Sequence, residues 1–362
     1  MKQFVINKND LIHNIEVIKK RAGQARIIAI LKGNGYGLGI CEFASVLKEN
    51  GINFFAVSEL EEAAELRNGG FEDDILLITA TADKCDIRAG IEMGVIMAAG
   101  SEASFEAISE IAAEIEVTAR VHLKIDTGFG RFGFSSDNMS QAAECVKKCD
   151  NIKVEGVFSH FSFSFSTDRK DVAQQYNRFT GCIKELEENG IELPLKHICN
   201  SCAFLQYEDM HLDAVRIGSA FLGRLPLTKS YGLKRIGTLR SAVIEVKTLP
   251  KGYYVGYANT YITKKETKIA VIPIGYKDGF GVEKSRDTFR FIDVLRYMYH
   301  DLRALGSKNT VNINGKICPL IGRISMCNVI ADVTGLDVKV GDIVEVNANP
   351  ILLSREIERL YE

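Results

Sequence analysis

The chain has 362 residues, beyond one ordinary domain, and its 45 Lys and Arg against 47 Asp and Glu leave a formal net charge of only −2. The absence of a basic tract argues against nucleic acid as a partner. No apolar run approaches the roughly 18 residues needed to span a bilayer, which argues against a membrane partner for this chain. Nine cysteines, an odd number without a small-domain framework, suit a reducing compartment. The opening Met1-Lys2-Gln3-Phe4-Val5 has no signal-peptide pattern, so a cytoplasmic protein is expected.

In chain order, a helix is predicted over 9–21, followed by apolar strands at 27–31, 52–57, 75–79, 95–99, 117–126, 154–160, 195–199 and 214–218. Helical patterns at 41–50, 58–68, 101–114, 138–149 and 171–189 fall between them. Eight strands alternating with helices describe a (β/α)8 TIM barrel. A doubly wound sheet is the alternative, because pattern alone does not show closure. After Pro226 the chain reads as short strands and turns, at 243–246, 268–274, 310–313, 322–332 and 343–346. A helical stretch at 287–305 interrupts them, with Phe291, Val294, Leu295, Met298 and Leu302 at helical spacing. The expected division is a barrel over 1–232 and a C-terminal, mainly β domain over 233–362.

The first barrel strand ends in Leu31-Lys32-Gly33-Asn34-Gly35-Tyr36-Gly37-Leu38-Gly39. A lysine at a strand terminus, walled by apolar residues, loses solvation, and its amine becomes nucleophilic near neutral pH. The glycines allow close backbone approach to an anion, a helix beginning near Ile40 adds amide donors, and Tyr36 adds a phenol. An aldehyde cofactor with a phosphate tail suits this combination, and pyridoxal phosphate fits best. Working residues of a barrel sit at strand C-terminal ends. Four more ends carry polar groups: Lys124 to Arg131, Ser159-His160, Asn200-Ser201 and Arg216 to Ser219. Gly128-Phe129-Gly130-Arg131-Phe132-Gly133 formally matches Gly-x-Gly-x-x-Gly. A dinucleotide site needs a helix to open there and an acid to end the next strand, and neither is present in the pattern. Cys199-Asn200-Ser201-Cys202, with Cys145 and Cys149, leaves a zinc or redox site as a minor alternative to apolar packing.

The glycine-rich turn resembles the pyridoxal-phosphate signature of the alanine racemase family, with glycines where that family has two alanines and Leu38 where it has histidine. Lys124-Ile-Asp-Thr-Gly-Phe-Gly-Arg131 is similar to a second family motif. The resemblance implies Lys32 as the cofactor lysine and one catalytic base. It implies Arg131 at the substrate carboxylate and Lys124 as a candidate for carbamylation that orients Arg131; an ion pair of Lys124 with Asp126 or a neighbouring acid is the simpler alternative. Arg216 would face the cofactor's pyridine nitrogen. A guanidinium does not readily give up a proton, so the pyridine stays neutral and is a weaker electron sink, which suits racemisation over transamination. Asn200, Ser201, Gly218 and Ser219 would form the phosphate cradle, and His160 would pack by the ring and bond Arg216.

In the β domain, Gly256-Tyr257-Ala258-Asn259-Thr260-Tyr261 resembles the segment carrying the family's second base, at Tyr257, donated in that family by the partner subunit of a homodimer. A phenol needs nearby positive charge to ionise near neutral pH. Ile272 to Gly279 matches a family run that places Tyr276 at the substrate entrance, and Gly322-Arg323-Ile324-Ser325-Met326 one that offers the Met326 amide to the substrate carboxylate. The pattern departs at Cys327-Asn328, at the 287–305 stretch and at the C-terminus, where a family tyrosine is missing and Asn347 or Asn349 falls nearby. The expected activity is racemisation of a small amino acid, L-alanine to D-alanine. The alternatives are serine, a basic amino acid, or a non-catalytic cofactor-binding protein.

Overall fold

Four-residue segments such as Phe54–Val57 and Ile96–Ala99 are buried on both faces, which only a sheet covered on one side and filled on the other permits. In the computed structural model, which describes residues 2–283, 285–304, 306 and 309–362, these segments form a closed parallel barrel. Its eight strands are Arg26–Ile30, Phe54–Val57, Asp74–Leu77, Ile96–Ala99, Ala119–Asp126, Ile152–Phe158, Lys196–His197 and Ala214–Ile217. Closure comes from the parallel pairing of the last strand with the first, Val215 opposite Ile27, and of Ile96–Ala99 with Ala119–Asp126. Alternate residues fill the interior: Ile28 and Ile30, Phe54 and Ala56, Leu76, Ile96 and Ala214 make one buried cluster.

The helices Lys8–Ala22, Ile40–Glu49, Leu60–Asn68, Glu102–Glu114, Met139–Lys147 and Lys170–Glu188 lie within two residues of their predicted ends. A further helix, Lys84–Glu92, is capped by the Asp83 carboxylate, which accepts the amides of Cys85 and Asp86.

The chain divides into two compact units, Lys8–Ile236 and one that joins the N-terminal strand Gln3–Ile6 to Gly237–Glu362. A division at 232/233 puts Gln3–Ile6 with the barrel. Its backbone pairs instead with Thr238–Ala242 and Glu358–Tyr361, inside a six-stranded sheet. A four-residue strand carries no signal for a partner more than 200 residues away. Within the expected strand 322–332 only Val329–Asp332 pairs; the preceding residues form a loop. The helical stretch is Phe291–Ala304, and Leu305 lies outside the described residues.

Candidate active site

The turn after the first barrel strand is left-handed. Gly33, Asn34, Gly35 and Tyr36 have φ of 65°, 56°, 62° and 55°, and Gly37 continues at 85°. Successive left-handed residues are costly for side chains other than glycine, and Asn is among the few that tolerate them. The Asn34 carboxamide oxygen accepts the Ile40 amide at 3.0 Å, tying the turn to the next helix. Tyr36 is the strained member. Its ring lies against Gly218, where a β-carbon would come within 2.5 Å of it. Burial pushes the phenol up to about 12, so it remains a proton donor at neutral pH.

Lys32 begins this turn, half-buried. Burial lowers its ammonium pKa, Arg131 and Arg216 lower it further, and Glu62 opposes them. The lysine therefore holds its proton more weakly than one in water.

Arg216 lies on the inward course of the last strand and is 3% exposed. A buried guanidinium costs several kcal/mol unless its donors are met. Among the described residues they are met without a carboxylate. Nη1 donates to His197 Nδ1 (2.7 Å) and the His197 carbonyl, and Nη2 donates to the carbonyls of Ser159 (2.6 Å) and Ile198 (3.0 Å) and to His160 Nδ1 (3.2 Å). The bond to His160 is as expected. Burial lowers Arg216 to about 10, still charged at neutral pH.

This network assigns two histidine tautomers. Arg216 only donates, so His197 Nδ1 accepts; His197 Nε2 then carries the proton toward His122 Nδ1, 2.9 Å away. Burial lowers both histidines, His122 to about 3, and keeps them neutral.

Lys124 is 6% exposed, and its amine sits 4.1 Å over the Phe158 ring. Burial drops its pKa well below the usual lysine range, and Arg216 and Arg131 drop it further. The alternative of an ion pair with Asp126 is not what the structure has. Among the described residues Lys124 has no ion pair, and Asp126 turns its carboxylate to the amides of Gly128, Phe129 and Gly130. These bonds hold Asp126 below the usual carboxylate range and curl the glycine-rich loop. The loop aims no helix at an anion; it presents Arg131, whose guanidinium lies 4.4 Å from the Phe129 ring centroid.

Beyond the seventh barrel strand, the Ser201 hydroxyl accepts the amides of Gly218 (3.0 Å) and Ala220 (3.3 Å). Asn200 caps the short helix Ser201–Gln206 by accepting the Ala203 amide, and its carboxamide also accepts the Ser164 hydroxyl at 2.7 Å. Cys199 and Cys202 are buried, with thiols raised by burial to about 12 and 11.

The β unit carries the other candidates. Tyr257 sits at a hairpin tip between Tyr254–Val255 and Tyr261–Ile262 and is 71% exposed. Gly256, φ 76°, lets this tip approach the Gly322-Arg323 backbone, where a β-carbon would come within 3.2 Å. Tyr276 and Met326 lie on a second pair of loops. The Tyr276 and Lys277 amides donate to the Ser325 and Met326 carbonyls, and a β-carbon on Gly275 would fall 2.3 Å from Ser325 O. Lys2 donates to both oxygens of Asp278, which in turn accepts the Gly275 amide. Both Tyr276 and Met326 are exposed.

The sequence pattern does not single out His122, His197, Glu62, Ser164 or Lys2. His122 shares the strand parity of Lys124, the one signal available for it.

The family profile for the alanine racemase N-terminal domain matches residues 6–226, and that for the C-terminal domain residues 236–357. The chain is 33% identical over 343 residues to the alanine racemase of Clostridium tetani, covering 93% of this chain and 83% of that protein. It is 34% identical over 353 residues to that of Desulfosudis oleivorans, covering 93% and 85%. The solved alanine racemase of Clostridium difficile 630 superposes with a TM-score of 0.88 at 26% identity, covering 100% of this chain and 95% of that one. The profiles span both units, and the relatives match over nearly the whole length: the chain belongs to the alanine racemase family.

Proposed function

We propose that this protein racemises alanine with pyridoxal phosphate held on Lys32. The observation that carries the reading is a half-buried amine at a barrel strand end, destabilised as ammonium first by burial and then by Arg131 and Arg216, with Glu62 opposing them. The surrounding residues suit the cofactor. Arg216 is charged yet bonded only to carbonyls and imidazoles, which suits a neutral pyridine nitrogen. Gly218 leaves room where a side chain would collide with Tyr36, and the Ser201 hydroxyl, whose oxygen accepts the amides of Gly218 and Ala220, keeps its own proton to donate to a phosphate. Ser219 and Asn200 complete that cradle, and His160 packs at the ring. When bound, pyridoxal phosphate is the electron sink that acidifies the α-hydrogen of an amino acid.

The chain's own residues do the rest. Racemisation needs proton exchange on both faces of the α-carbon. The Lys32 amine, disfavoured as ammonium, takes or returns the proton on one face, and the Tyr257 hydroxyl serves the other. Arg131, presented by the loop that Asp126 curls, holds the substrate carboxylate together with the Met326 amide. Tyr276 lines the entrance. Lys124, buried without an ion pair and easily deprotonated, suits carbamylation; a carbamate there would neutralise the local positive charge and orient Arg131. The protein acts as a homodimer, with Tyr257 contributed by the partner subunit.

Alanine is preferred over serine because the named relatives are alanine racemases. A non-catalytic single-domain carrier would lack the C-terminal domain that the profile matches.

The test has two arms. Borohydride reduction of the purified protein should fix the cofactor on the peptide containing Lys32, and a label on any other lysine would remove the assignment. Incubation with each L-amino acid, read by chiral chromatography, should give D-alanine as the main product. Tyr257→Phe should lower racemisation at least about 10²-fold in both directions, the usual worth of a positioned acid or base. Near-wild-type racemisation by that variant would reject the two-base reading.

A further inference from the structure

Glu62 is 2% exposed on the helix Leu60–Asn68, which opens at the end of the second barrel strand. A carboxylate this deep needs hydrogen bonds to replace the water it has lost. Its Oε2 accepts the amides of Ser58 (3.1 Å) and Glu59 (3.3 Å), the ordinary work of an acid in a helix's first turn. Capping uses that one oxygen. The other, Oε1, turns away from the helix and accepts the Gly33 amide at 2.5 Å, across to the neighbouring strand end. Gly33 follows Lys32 directly and is the first left-handed residue of its turn.

We infer that Glu62 is a positioning residue for Lys32: its buried carboxylate pins the backbone next to the lysine and keeps a negative charge beside the amine. This rests on the reading of Lys32 as the cofactor lysine. The charged groups that face Lys32 are Arg131 and Arg216, which favour the free amine, and Glu62, which favours the ammonium. Glu62 is the lone acid of the three. It partly offsets burial and the two arginines, so that Lys32 keeps a proton it has taken more firmly than it otherwise would, and the bond to Gly33 fixes where the lysine side chain starts.

The experiment uses the full-length chain after hydroxylamine has displaced the cofactor. Lys32 is labelled competitively with acetic anhydride across a pH series and quantified by mass spectrometry, with exposed lysines as the internal reference. Glu62→Gln keeps an acceptor for Gly33 and removes the charge. It should label Lys32 at least about threefold faster at neutral pH, with the midpoint moved to lower pH, as expected for loss of a neighbouring opposite charge. A folded Glu62→Gln that melts earlier but labels Lys32 like wild type would reduce Glu62 to a helix cap and overturn the inference. If Glu62→Gln does not fold, Glu62→Asp withdraws the carboxylate by one methylene. Labelling faster than wild type supports the inference, and wild-type labelling overturns it. Failure of the cofactor reading would show separately, as borohydride labelling of another lysine in the unmodified protein.

Discussion

Gly218 shows how one missing β-carbon shapes the proposed site. A methyl there would stand 2.5–2.7 Å from the Tyr36 ring carbons and hydroxyl. Tyr36 cannot retreat cheaply, because its backbone is already left-handed. Gly218→Ala should therefore cost about 1–3 kcal/mol, the range for overpacking a tight site. It should also loosen the cofactor, since the Gly218 amide that meets Ser201 would shift with it. Thermal melting and the cofactor content of purified protein check this. A variant with unchanged melting and full cofactor would mean that Tyr36 has slack the packing does not show.

Among elements, the barrel's C-terminal strand ends behave as a unit. The strands Ala119–Asp126, Lys196–His197 and Ala214–Ile217 contribute His122, His197 and Arg216 to one buried chain of hydrogen bonds. Both histidines have folded pKa values depressed by burial, below the unfolded value near 6.5. The unfolded chain therefore takes up protons below about pH 6.5 while the folded chain does not. The stability involved is fully present above that pH and falls as pH drops toward about 3, the folded value for His122. Each histidine contributes up to about 1.4 kcal/mol per pH unit in that window. Melting temperature should decline between about pH 6.5 and 5, and His122→Asn should make the decline shallower. A slope unchanged in His122→Asn would remove His122 from the account. The helix Phe291–Ala304 behaves differently. Its apolar residues recur at helical spacing, yet Phe291, Met298 and Leu302 are 77%, 56% and 64% exposed. Helical periodicity specifies that one face is apolar and leaves open what covers it.

For the whole molecule, the proposed reaction needs bases from two subunits. Lys32→Ala and Tyr257→Phe chains, each inactive alone, should regain activity when mixed under conditions of subunit exchange. A heterodimer then holds one site with both wild-type bases. Heterodimers verified by mass that remain inactive would place both bases on one chain.

Local order made much of this protein legible in its sequence. Apolar runs of strand length, amphipathic helices between them and glycine-rich ends carry their signal within about ten residues, so all eight barrel strands and the strand-end place of Lys32 could be read directly, whereas Arg131 and Arg216 were singled out by the family resemblance. What tertiary structure alone decided involves partners distant in the chain. Closure depends on Val215 meeting Ile27, and the placement of Gln3–Ile6 on pairing with Thr238–Ala242 and Glu358–Tyr361. Lys124 could be taken for half of an ion pair until the loop amides of residues 128–130 were seen to occupy Asp126. Glu62 reads as one more helix-start acid until its second oxygen reaches Gly33. In each case a charge or hydrogen-bonding group has several chemically adequate partners in the sequence, and only the folded backbone brings one of them within bonding distance.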